Sequence, residues 1–141
     1  MTSGTPITIN PPTLPAPTGF SHAVLAGNTL HLAGQTALDE NSEIVEGGIV
    51  PQFRQAVANL LAPLSYVGGA PEHLVSLTFH LTDVAAYQAH GPQIGKAWRK
   101  LLGPVFPALT VVGTPGLWQP EALLEISGVA VIPDAQLRVP A

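Results

Sequence analysis

The sequence contains no cysteine. That excludes disulfides, thiolate nucleophiles and cysteine-held metals, and it suits a reducing cytoplasm, the expected location. Charge is scarce too. Asp, Glu, Lys and Arg make up 10% of the 141 residues, where a soluble domain carries about 25%. The basic side chains are Arg54, Lys96, Arg99, Lys100 and Arg138, against nine acidic ones. Three of the five fall in the single stretch "GKAWRK". They form no stripe that could neutralise a run of phosphates, so no nucleic-acid partner is expected. No apolar run reaches the ~18 residues of a membrane span, and no basic start leads into an apolar stretch as in a secretion signal. Neither a membrane nor a signal peptide is expected. Apolar residues nonetheless reach 46%. Much of this surface should therefore be buried between copies of the chain.

The length suits one domain with one core. Residues 1–18 are rich in proline and read as an extended arm, ordered only where it lies on something. Residues 19–133 read as the folded domain and 134–141 as a tail. "FSHAVLAG" and "TLHLAGQTAL" read as strands joined by a tight turn at Gly27–Asn28. A short strand could form at Ile44–Val45. "VPQFRQAVANLLAPLSYVGG" has helical spacing at Phe53, Val57, Leu60, Leu61 and Leu64, with Pro51 in its first turn and Pro63 in conflict. In "APEHLVSLTFHLTD", Val75, Leu77, Phe79 and Leu81 alternate with Ser76, Thr78, His80 and Thr82, which is strand spacing. "TDVAAYQAHGPQIGKAWRKLLG" reads as a second helix, interrupted near Gly91–Pro92, with Ile94, Trp98 and Leu101 inward. "VFPALTVVGT" and "ALLEISGVAVI" read as the last strands. Two helices can cover one face of such a sheet, so the other face must be wet or must meet another subunit.

Glu125 stands alone in an apolar strand. Alternation places it with Leu123, Ser127 and Val129, opposite the core set Leu124, Ile126 and Ala130. A carboxylate in apolar surroundings is suited to proton transfer near neutral pH; the alternative role is to accept hydrogen bonds across an interface. The histidines have no metal-ligand spacing, so neither a metal nor a cofactor is expected. His31 and His80 read as hydrogen-bonded interface residues. "AGQT" lacks the pattern and the lysine of a phosphate loop. Ser21 and His22 are adjacent and point to opposite faces, which excludes a Ser–His–Asp triad.

Several stretches, in this order and spacing, carry a resemblance: "GFSHAV", "LAGQTALD", "QAVANL", "LVSLTFHLTD", "FPALT" and "LLEISGVAV". Over roughly residues 19–133 the chain resembles the Rid (YjgF) family. The resemblance implies an α+β, chorismate-mutase-like fold: one domain, a mixed sheet with two helices on one face, and a homotrimer whose sheets form a central β-barrel. It also implies a small-molecule substrate in a cleft between subunits. The best-studied branch hydrolyses 2-imino and 2-enamino acids to 2-keto acids and ammonia. An older label, endoribonuclease, implies RNA, and the sparse cations argue against that.

By the same resemblance, Glu125 matches the glutamate that orients or activates the hydrolytic water. Phe20, Gly34, Leu109 and Val111 match substrate-binding positions. Leu109 stands where the deaminating branch has the arginine that grips the substrate carboxylate, and leucine can make neither of its two charged hydrogen bonds. Phe20 replaces a hydroxylated aromatic, and Gly91 stands near a lost asparagine. This pattern implies a Rid-like hydrolase for a less acidic imine or enamine, with a non-catalytic trimeric binding module as the alternative. His22 near the cleft mouth could supply a polar contact there, and Trp118 could roof the cleft. Trp98 reads as core.

Overall fold

The computed structural model describes residues 4–140. Six strands form one sheet in the order β1-β2-β3-β6-β4-β5. They are β1 (Ile7–Ile9), β2 (Ala23–Ala26), β3 (Thr29–Gln35), β4 (Leu74–Leu81), β5 (Ala108–Gly113) and β6 (Leu124–Val131). Only β4 and β5 run parallel; the remaining neighbours are antiparallel. The helices are α1 (Ile49–Tyr66), α2 (Val84–Ala89) and α3 (Gly91–Leu102). The chain is thus α+β with a mixed sheet, as expected, and its helical layer is α1 beside the broken pair α2–α3.

Local chemistry explains most boundaries. Gly27 takes φ 60° in the turn between β2 and β3, a conformation that costs glycine nothing. Asp83 caps α2 by accepting from the Ala86 N–H at 2.9 Å. The break expected near Gly91–Pro92 falls at His90, which ends α2 and begins α3. Pro63 does not end α1; it lies buried inside it, three residues from the C-terminus. There it removes one intrahelical bond, the one residue 63 would donate to the Asn59 carbonyl, and the helix runs on for three more residues. The strand suggested at Ile44–Val45 reduces to one bridge, Leu38 to Ile44.

The proline-rich arm lies on the sheet: Ile7–Ile9 adds an edge strand to β2, and Ile9 is buried. One expectation needs correction. The alternation in β4 holds from Leu77 onward but fails at Val75. The pairing with β6 shifts between Leu74 and Ser76. The extra residue at this bulge turns Val75 outward, and Leu74 takes the buried place instead.

The core lies between α1, α3 and one sheet face. Phe53, Phe79 and Trp98 form an aromatic cluster there, with ring centroids 6.0–6.4 Å apart. Trp98 also donates to the Val105 carbonyl at 2.9 Å, which confirms its packing role. On β6, Leu124, Ile126 and Ala130 are fully buried in this core. Glu125, Ser127 and Val129 lie on the opposite face, as the alternation requires. Among the described residues, no helix is long and apolar enough to cross a membrane.

Candidate functional site

A cavity of about 520 Å³ opens where β3 ends and β6 begins, with Glu125 on its sheet wall and Asn59 of α1 also among its lining residues. Its geometry begins with a bulge. Leu32 pairs with Gly128, but Gln35 pairs with Ile126, so β3 spends one residue more than β6 between them. A bulge bends the strand and re-aims its side chains. Here it brings Gly34 under the side chain of Glu125. A Cβ on residue 34 would lie 2.6 Å from Glu125 Cδ and 2.6 Å from Oε1. Glycine is needed there to leave room for the carboxylate, since nothing in the backbone conformation demands it.

Polar bonds from several elements hold the cavity wall. Asn59, buried on α1, donates to the carbonyls of Thr36 and Leu38 at 3.0 and 2.9 Å. Thr36 then donates its hydroxyl to Gln119 at 2.7 Å. Gln52, also buried on α1, donates to the Glu121 carbonyl and accepts from the Leu123 N–H. The helix therefore fixes both the strand leaving β3 and the loop entering β6. That loop carries Trp118, which is 90% exposed on the cavity rim.

The arm supplies another wall. Leu14, Pro15 and Ala16 line the cavity, and His22 fastens them. His22 lines the same cavity and is buried there. Its Nε2 donates to the Pro15 carbonyl at 2.7 Å, and its Nδ1 accepts from the Gln35 amide at 3.0 Å. These partners specify the neutral Nε2–H tautomer. Its backbone N–H donates to Asn10 at 2.8 Å, and Phe20 packs edge-on against the ring. His22→Phe keeps the shape and strands the buried Gln35 amide. Urea denaturation should show about 1–3 kcal/mol lost, and hydrogen exchange should rise first across residues 10–16.

The expected site residues separate into two groups. Phe20, Gly34 and Glu125 line this cavity together with Trp118. Leu109 and Val111 do not. They pair in parallel register with Leu77 and Phe79, whose side chains enter the core, so they occupy the other face of the sheet. Leu109 instead lines a groove of about 340 Å³ with Gly91, Ile94, Trp98, Arg99 and Phe106. Tyr87 reaches the same groove, and burial pushes its hydroxyl above the ordinary pKa of 10.0. Sequence reasoning missed the arm residues Leu14 and Pro15, and also Asn59 and Gln119. One signal was available: Gln52 and Asn59 are polar side chains on the inward face of α1, where burial demands partners.

β5 closes the sheet as an edge strand, and all six of its residues are exposed. Leu109 and Val111 are exposed on one face of it and Val112 on the other, with Phe106 exposed just before it. His80 pairs across from Glu125, and its buried Nδ1 has no hydrogen-bond partner among the described residues. The described residues hold no cluster of three or more potential metal ligands.

Comparison with known proteins agrees with this architecture. The family model described as endoribonuclease L-PSP matches residues 12–132. A RutC family protein of Synechocystis is 32% identical over 84% of this chain and 91% of its own. A 2-iminobutanoate/2-iminopropanoate deaminase of the mite Dermatophagoides farinae is 29% identical, over 88% of this chain and 94% of its own. Among solved structures, a probable translation initiation inhibitor from Rhodopseudomonas palustris superposes with a TM-score of 0.81 at 28% identity, over 92% of this chain and 99% of that one. On the family match, the sequence relatives and the shared fold together, the chain belongs to the Rid family, the family of the endoribonuclease L-PSP model.

Proposed function

We propose that the chain is a hydrolase of the deaminase type, acting on the C=N bond of a small imine or its enamine tautomer. One observation carries this reading: the Glu125 carboxylate is seated over Gly34 at the wall of a cavity large enough for a small ligand. The deaminase named among the relatives supports it. In the proposed reaction, the water oxygen bonds to the imine carbon while Glu125 takes a proton from that water. The proton returns to nitrogen, giving a carbinolamine; Glu125 then carries the proton of the new hydroxyl to the same nitrogen as the C–N bond breaks, and ammonia leaves a carbonyl product. Phe20 packs against the substrate, and the backbone at Gly34 borders it.

Leu109 and Val111 join this site only if a second copy brings its β5 edge to the cavity. We therefore propose a trimer, with its sheets forming a central barrel and its clefts between subunits. The exposed apolar edge of β5 supports this, because unpaired edges of this kind are covered in stable proteins. The unpartnered His80 Nδ1 supports it as well.

The test combines light scattering with ammonia release from imines generated in situ. The expected result is a trimer that accelerates release above the buffer rate. A trimer that leaves every imine at the buffer rate would replace this reading with a ligand-binding module.

A further inference from the structure

We infer that the cavity is built for a carboxylate-free imine, bound as its iminium cation and carrying a flat apolar substituent. This rests on reading the cavity as the hydrolytic site, and it names the substrate class.

Charge is the first argument. None of the five lysines and arginines lines the cavity, and Glu125 is its one acidic lining residue. Both ring nitrogens of His22 are already engaged, with the Pro15 carbonyl and the Gln35 amide, so neither is free to meet a substrate carboxylate. A substrate carboxylate entering this space would meet a like charge and no counter-charge from this chain, and the β5 edge that a second copy would bring holds no lysine or arginine, an arrangement that disfavours binding. An iminium meets the opposite situation. The Glu125 carboxylate attracts it, and the faces of Phe20 and Trp118 add cation–π attraction.

Shape is the second argument. The cavity volume of about 520 Å³ falls within the ~300–1,000 Å³ of pockets that enclose ligands of drug size. Its apolar walls come from Leu14, Pro15, Phe20, Leu38 and Trp118. Phe20 is 56% exposed and Trp118 is 90% exposed, so each has aromatic surface left to bury against a ligand. The arm that supplies Leu14 and Pro15 is held in place by hydrogen bonds, which makes the apolar wall a fixed part of the site. Hydrolysis of this substrate is redox-neutral: iminium and water give a carbonyl compound and ammonium.

The test uses a matched pair of stable probes, 2-phenylethylamine and phenylalanine, which differ by one carboxylate. Titration of the intact protein, followed by calorimetry and tryptophan fluorescence, should give about tenfold or greater preference for 2-phenylethylamine, equivalent to ~1.4 kcal/mol. Trp118→Ala should weaken binding of that probe about fivefold or more, in line with a lost cation–π and stacking contact. Equal or tighter binding of phenylalanine, or no binding of either probe, would overturn the inference. Turnover separates it from the broader reading. Binding preference without accelerated ammonia release from either phenylacetaldimine or 2-iminopropanoate sinks the hydrolase and leaves the ligand class standing. Release from 2-iminopropanoate but not from phenylacetaldimine sinks the ligand class and leaves the hydrolase standing.

Discussion

Gly34→Ala is expected to reduce kcat/KM about as severely as Glu125→Gln, each by roughly 10²–10⁴-fold, the range ascribed to a positioned acid–base group. The two substitutions act on the same object. Glu125→Gln keeps the side-chain shape and removes the group that takes the proton. Gly34→Ala keeps the carboxylate and evicts it, because the new Cβ would lie 2.6 Å from Glu125 Cδ. Real Cβ contacts are essentially never that short, so the carboxylate must shift from this seat. The backbone can accept alanine at this position, so folding stability should change little. The double variant should then be no slower than the worse single one, because the second change finds nothing left to remove. If the two losses multiplied instead, Gly34 would act on something other than Glu125. If Gly34→Ala retained full activity with the cavity intact, the carboxylate could not be the acid–base group in this place.

The pairing of Gly34 with Glu125 also shows where the sequence was readable. Strand alternation placed Glu125 opposite Leu124 and Ile126, because a period of two survives any error in strand ends. The turn at Gly27–Asn28 was readable from its residue types. The bulge that spends an extra residue between Leu32 and Gln35 left no such trace. A bulge depends on which residues of two distant strands pair, and that is fixed by the whole sheet. The same cause undid Val75, where a second bulge reversed the alternation. The strand inside the arm was hidden for another reason. Its prolines are incompatible with a central strand, yet the proline-free run Ile7–Ile9 needed only an edge, which β2 provides. Leu109 illustrates a further limit. Its neighbour Pro107 and the motif around it were recognisable, but a single chain sets Leu109 and Glu125 on opposite faces of the sheet. Their meeting requires a second copy, and no local pattern encodes that.

The largest stability effect is expected at Phe79→Ala. Phe79 is fully buried at the centre of the sheet face that the helices cover. Its ring lies 6.0 Å from that of Phe53, 6.1 Å from Trp98 and 6.1 Å from Tyr87. It thereby joins β4 to α1, α2 and α3 through one side chain. Truncation removes the ring's transfer free energy and leaves a cavity that three large aromatic rings cannot fill by small movements. Such substitutions cost about 3–5 kcal/mol, out of the ~5–15 kcal/mol that stabilises a typical domain. Phe79→Leu keeps most of the volume and should cost about half as much or less. Urea denaturation of the two variants checks this directly. A loss below about 1 kcal/mol for Phe79→Ala would mean that the aromatic cluster closes over the gap, and that the contact between helices and sheet does not depend on it.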